Sequence, residues 1–95
     1  MPRATLNGVT LAESDHTEVV EGNHYFPSDS IRRELFQESD TTTHCPWKGD
    51  AGHMSVEVDG SVVEDAAWYY PAPLDAAKNI KDHVAFYGNK VEVSG

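Results

Sequence analysis

Two dipeptides set the limits on what this chain can become. Asn7-Gly8 stands inside Ala4-Thr5-Leu6-Asn7-Gly8-Val9-Thr10-Leu11, and Asp59-Gly60 stands inside Met54-Ser55-Val56-Glu57-Val58-Asp59-Gly60-Ser61-Val62-Val63. Asn-Gly or Asp-Gly between alternating residues is the strongest short-range signal for a two-residue β-hairpin. The first hairpin is expected to pair Leu6 with Val9 and Ala4 with Leu11, with Thr5 and Thr10 on the wetter face. The second pairs Val58 with Ser61 and Val56 with Val63. Met54, Val56, Val58 and Val63 then face inward, and Ser55 and Glu57 face out.

Further strands are expected at Glu18–Glu21, around His24–Phe26 and at Lys90–Val93. Ala66–Tyr70 extends the second hairpin until Pro71 and Pro73 stop it. Two short helices are expected. Ser28 caps Asp29–Leu35, and Leu74–His83 follows the two prolines with Asp75 near its start. The fold class is therefore mainly β (α+β), a small curled antiparallel sheet with two short helices in a single domain over residues 1–95.

Composition narrows the partners. A net charge of −9, from 16 acidic and 7 basic residues with no basic stripe, repels phosphate backbones, so no nucleic acid is expected. No apolar run approaches the roughly 20 residues that span a bilayer, so no membrane association is expected. Met1–Thr5 lacks the apolar segment of a signal peptide, and one cysteine cannot form an internal disulfide; both fit a cytoplasmic location. A monomer or weak homodimer is the expected state.

The chemistry-bearing residues converge on Thr41-Thr42-Thr43-His44-Cys45-Pro46-Trp47-Lys48-Gly49. Pro46 biases Cys45 toward extended backbone, as the threonines do for the residues before it. Alternation along such a strand puts Thr41, Thr43, Cys45 and Trp47 on one face and Thr42, His44 and Pro46 on the other. His44 is then badly placed to deprotonate the neighbouring thiol, and an activating imidazole would come from His24, His53 or His83. Lys48 is the nearest cation in sequence that can lower the Cys45 pKa. The thiol is either such a nucleophile or a buried, inert side chain.

Other chemistries leave no mark. One cysteine and scattered histidines do not make a zinc site, so no metal is expected. There is no Gly-x-x-x-x-Gly-Lys-Ser/Thr loop or Gly-x-Gly-x-x-Gly turn, and no cofactor is expected. Glu57 and Asp59 share a face only at a hairpin tip, where carboxylates face water. The aromatic run Trp68-Tyr69-Tyr70 puts Trp68 and Tyr70 on one side and Tyr69 on the other. With Tyr25, Phe26, Phe86 and Trp47 these rings form either a core or an apolar pocket with hydroxyl handles.

Four segments carry a family resemblance: Tyr25-Phe26-Pro27, SDTTTHCPWKG (Ser39–Gly49), VEDAAWYYP (Val63–Pro71) and HVAFY (His83–Tyr87). In this order they resemble the family catalogued as domain of unknown function 427. The resemblance implies a small, mainly β protein with a curled sheet or half-barrel of the β-tent type. In some classifications it also carries a nucleotidyltransferase label, for which Lys48, Arg32 and Arg33 are the candidate phosphate ligands. It draws Tyr25, His44, Cys45, Lys48, Trp68 and Tyr70 toward one site.

Three functions follow as expectations. One is a pocket lined by Tyr25, Cys45, Trp47, Trp68 and Tyr70, with Lys48 or His44 at its mouth. It binds an unidentified small molecule or acts on it through the thiol. The second is a nucleotidyltransferase-like enzyme, and the third is a non-catalytic interaction module.

Overall fold

The computed structural model describes residues 1–95. The Asn-Gly hairpin forms from β1 (Arg3–Leu6) and β2 (Val9–Glu13). Leu6 pairs with Val9 and Thr5 with Thr10 as expected, but a bulge follows and Ala4 pairs with Ala12 rather than Leu11. The extra residue lets both Leu11 and Ala12 be buried. The last strand, β9 (Glu92–Ser94), joins the free edge of β1 and completes a three-stranded sheet in the order β2-β1-β9.

The second sheet has six antiparallel strands. It contains β3 (Glu18–Val20), β4 (Asn23–Pro27), β5 (Phe36–Cys45), β6 (Gly49–Val58), β7 (Ser61–Tyr69) and β8 (His83–Phe86). Their spatial order is β3-β4-β8-β7-β6-β5, so the sheet is open and not closed into a barrel. The Asp-Gly hairpin of β6 and β7 has the expected register at Val58–Ser61 and Val56–Val63. Beyond it the register shifts, with Asp65 in a left-handed conformation at φ 50°. That irregularity corrects one expectation: Ser55 is buried, and its Oγ accepts the Asp65 backbone N–H at 3.1 Å.

Neither expected helix forms as a helix. Ser28–Ser30 and Arg33–Leu35 are separate 3-10 turns, because Ile31 between them is extended and bridges Ala12. Arg32 N–H also donates to Leu11 C=O at 2.8 Å. Pairing with the small sheet overrides the weak local helix preference. The expected helix Leu74–His83 shrinks to a kinked 3-10 segment, Asp75–Ile80, broken at Ala77. His83 leaves it to begin β8, a strand between β4 and β7. No helix is long and apolar enough to cross a membrane.

Strand alternation divides the large sheet into two cores. Phe26, Met54, Val56, Ala67 and Val84 face the small sheet and pack with Ala4, Leu11 and Ala12. Tyr25, Ala51, Trp68, Tyr70 and Ala85 face the other way and are covered by Ala77 and Ile80 of the 3-10 segment. Adjacent residues thus enter different cores, as the expected split of Tyr69 from Trp68 and Tyr70 requires. The second core carries the site.

Three tyrosines make this architecture sensitive to alkali. Burial pushes the Tyr69 phenol up to about 12, helped by its hydrogen bond to Glu38. Burial also raises Tyr70 and Tyr87. In the unfolded chain such phenols ionise near pH 10. Stability is therefore full below about pH 10 and falls as pH rises toward the folded values. Urea titrations from pH 9 to 12 are expected to show this fall, and Tyr69→Phe should flatten part of it. An unchanged slope in that variant would contradict the assignment.

Candidate functional site

The β5–β6 hairpin turns through Pro46-Trp47-Lys48, with Cys45 opposite Gly49. Pro46 follows the last strand residue, where its fixed φ suits a turn. Gly49 closes the turn at φ 110°, a conformation side-chain-bearing residues avoid. A Cβ there would also lie 3.4 Å from Ala72 C=O, because the chain after Pro71 docks on this turn and Leu74 N–H donates to Lys48 C=O. The expected strand therefore ends at Cys45, and Trp47 is not its continuation.

Alternation does hold up to that point. Cys45 is half-buried against the second core, and Thr43 lies on the same face. His44 lies on the other, exposed, with Nδ1 2.7 Å from Asp50 Oδ1. No side-chain hydrogen bond reaches the thiol from any histidine. His24 bonds Thr17, His83 bonds Lys81 C=O, and His53 bonds Tyr87.

Lys48 is the unusual member. It is only 6 % exposed, yet it carries a charge. Its ammonium is 5.4 Å from the centre of the Trp47 ring and 5.5 Å from that of Tyr70, cation–π distances in both cases. It also pairs with the Glu21 carboxylate. Glu21 stands at the tip of a two-residue turn, Glu21-Gly22, where Val20 pairs with Asn23. Burial opposes the Lys48 charge, but Glu21, Tyr25 and Tyr70 outweigh it and hold its pKa above the ordinary lysine value. The hydrogen bond from Lys48 in turn lowers Glu21. The linkage has opposite signs at the two ends. The lysine contribution is complete below about pH 10.5 and is lost above it; the Glu21 contribution is lost as pH falls below about 4.5. The pair is intact at neutral pH.

Behind the lysine, Trp68 Nε1–H donates to Tyr25 Oη at 3.1 Å, and the two rings meet edge to face at 6.0 Å. Trp68 also lies 4.5 Å from Tyr87, centre to centre. Lys48, Trp68 and Tyr87 line an open cleft of about 360 Å³ together with Asn23, Thr43 and Tyr70, and Tyr25 lies buried behind it. Tyr25→Phe removes the acceptor of a buried indole N–H. It is expected to lower the unfolding free energy by about 1–3 kcal/mol. Urea denaturation measures this, and a loss under about 0.5 kcal/mol would show that the indole finds another acceptor.

Of the residues singled out in sequence, Tyr25, Cys45, Lys48, Trp68 and Tyr70 come together in the second core. Trp47 sits on the exposed turn above the lysine, and His44 is turned away. Phe26 and Phe86 belong to the opposite core, although Phe86 also borders the cleft. Sequence reading missed Glu21, Asn23 and Tyr87. The Gly22 turn between two short strands was a usable signal for Glu21; Tyr87 carried none beyond its place in HVAFY. No group of three or more His, Cys, Asp or Glu side chains is placed to share a metal ion.

Comparison with curated proteins gives no match. A family model described as Domain of unknown function (DUF427), and labelled NTP_transf_9, matches residues 2–94. The match spans every element that builds the cleft, and the chain belongs to that family.

Proposed function

We propose that the protein binds a small, flat, anionic molecule in the cleft beside Lys48. The observation that carries this reading is the lysine itself. Glu21 and two aromatic rings hold this largely buried ammonium, 6 % exposed, in place at the wall of an open cleft, a preorganised cation for an anionic group that enters there. Trp68, Tyr70 and Tyr87 line the cleft with aromatic surface suited to a planar ligand, and Thr43 and Asn23 add polar groups. Binding is favoured over thiol chemistry because Cys45 has no imidazole partner to make it a nucleophile.

Titration with benzoate tests this. At ten times its dissociation constant the ligand should add about 1.4 kcal/mol. For a domain of this size that raises Tm by several degrees. Lys48→Met should weaken binding about tenfold or more, and Thr43→Val, which spares the buried pair, should weaken it less. Benzoate binding that is absent, or indifferent to Lys48, would refute the reading. The family label supports a second reading, nucleotide binding, for which ATP with and without magnesium is the parallel titration.

A further inference from the structure

The two sheets have four outer edges, and three of them are short or bridged. Ile31 bridges the free side of β2, where Arg32 N–H also bonds Leu11 C=O. β3 and β9 have three residues each. β5 differs: it is ten residues long, it ends the large sheet, and no backbone bond outside its ladder with β6 reaches it. Every second residue of such a strand turns an N–H and a C=O outward, ready to pair with one more strand. Proteins ordinarily blunt long edges with lysine, proline or a covering loop. Thr41–Cys45 contains neither Lys nor Pro, and Thr41, Thr42, Thr43 and His44 are exposed.

A bulge beside this run sets its charge. The register with β6 slips between Glu38 and Thr42, and Thr41 Oγ1 donates to Asp65 Oδ2 at 2.7 Å across the bend. Ser39, Asp40 and Thr41 then border a hollow of about 390 Å³ with Ser55, Glu64 and Asp65, and no apolar residue lines it. None of its three carboxylates is in an ion pair; those of the chain are Arg3–Glu13, His44–Asp50 and Lys48–Glu21. The nearby Lys90 ammonium is bonded to the backbone carbonyls of Glu64 and Asp65 instead.

We infer that β5 is a docking edge for an extended protein segment bearing arginine or lysine, which pairs with Thr41–Cys45 and lays one basic side chain in the hollow beside Thr41. Residues opposite one another on adjacent strands share a face, with Cβ atoms about 4.5–5.5 Å apart. Thr41 lines the hollow, so a residue paired with it delivers its side chain there. Main-chain pairing supplies an attraction common to all extended segments, and the unpaired carboxylates select the basic ones. A second copy of this chain fits the edge worse. Each copy carries a net charge of −9, and β5 brings Glu38 and Asp40 with no lysine or arginine. Of the lining of the Lys48 cleft only Thr43 lies on this edge, so the inference goes beyond the cleft reading and does not rest on it.

Backbone amide NMR on the labelled protein tests this, with the peptide acetyl-Thr-Val-Arg-Val-Thr-amide as the probe at low salt. Shifts should centre on Thr41–Cys45 and the rim of the hollow, and hydrogen exchange of the outward amides there should slow about tenfold at saturation. The same peptide with glutamate for arginine should bind about tenfold more weakly or worse, and so should one with proline for both valines. Asp40→Lys, at an exposed position, should weaken the arginine peptide about fivefold and strengthen the glutamate one. No binding, shifts centred elsewhere, equal affinity for the arginine and glutamate peptides, tolerance of proline, or indifference to Asp40→Lys would each overturn the inference. Protection of Thr41–Cys45 that grows with protein concentration, without peptide, would put a second copy on the edge and overturn the choice of partner. Benzoate titration of the same sample reads the cleft separately, so either reading can fail alone.

Discussion

Phe26→Ala is expected to lower the unfolding free energy by about 3–5 kcal/mol, a large share of the roughly 5–15 kcal/mol that holds such a domain together. Phe26 has no exposed surface and packs edge to face on Phe86 at 5.7 Å. It stands on β4, beside β8, where the residue across the ladder is Val84. Truncation leaves a hole between the large sheet and the small one, and strands fixed by hydrogen bonds on both sides collapse into it poorly. Equilibrium urea unfolding gives the loss directly. A value under about 1.5 kcal/mol would mean that the small sheet settles into the space. Because Tyr25, the preceding residue, faces the other core, benzoate affinity of the folded fraction should stay close to that of the parent. That separates a core defect from a cleft defect.

Gly52→Ala is the second large effect, expected at about 1–3 kcal/mol from overpacking. Gly52 sits across the ladder from Tyr69, whose ring folds over the glycine. A Cβ at position 52 would lie 2.7 Å from Tyr69 Cζ and 2.8 Å from its Oη, closer than side-chain carbons approach anything. The ring cannot swing aside freely, since its hydroxyl donates to Glu38 at 2.7 Å. The clash is therefore specific to one partner. A double-mutant cycle with Tyr69→Ala should recover part of the loss, because the two sites share the contact. Additive losses would show that position 52 suffers for a backbone reason instead.

Much of the fold was legible because its signals are local. Asn7-Gly8 and Asp59-Gly60 place two hairpins from turn chemistry alone, and the register beside each turn follows without tertiary information. The split of Trp68 and Tyr70 from Tyr69 follows from period-two alternation, and so does the opposition of Cys45 and His44. The failures also have local causes. HVAF is a short apolar run that reads equally as a helix end or a buried strand, and only its slot between β4 and β7 decides the matter. All three register shifts escaped, since one or two extra residues in a strand change no composition.

By itself the sequence determined that this chain is an antiparallel β protein of the DUF427 family, with Cys45 and its aromatic neighbours on one face. Tertiary structure alone decided which distant groups meet on that face. Glu21 meets Lys48 across 27 residues, His53 meets Tyr87 across 34, and Trp68 meets Tyr25 across 43. Alternation tells which side of a strand a residue occupies. It does not tell which distant strand lies beside it or what covers that side. Those choices come from burying the whole apolar surface at once, a property of the folded chain and not of any stretch within it.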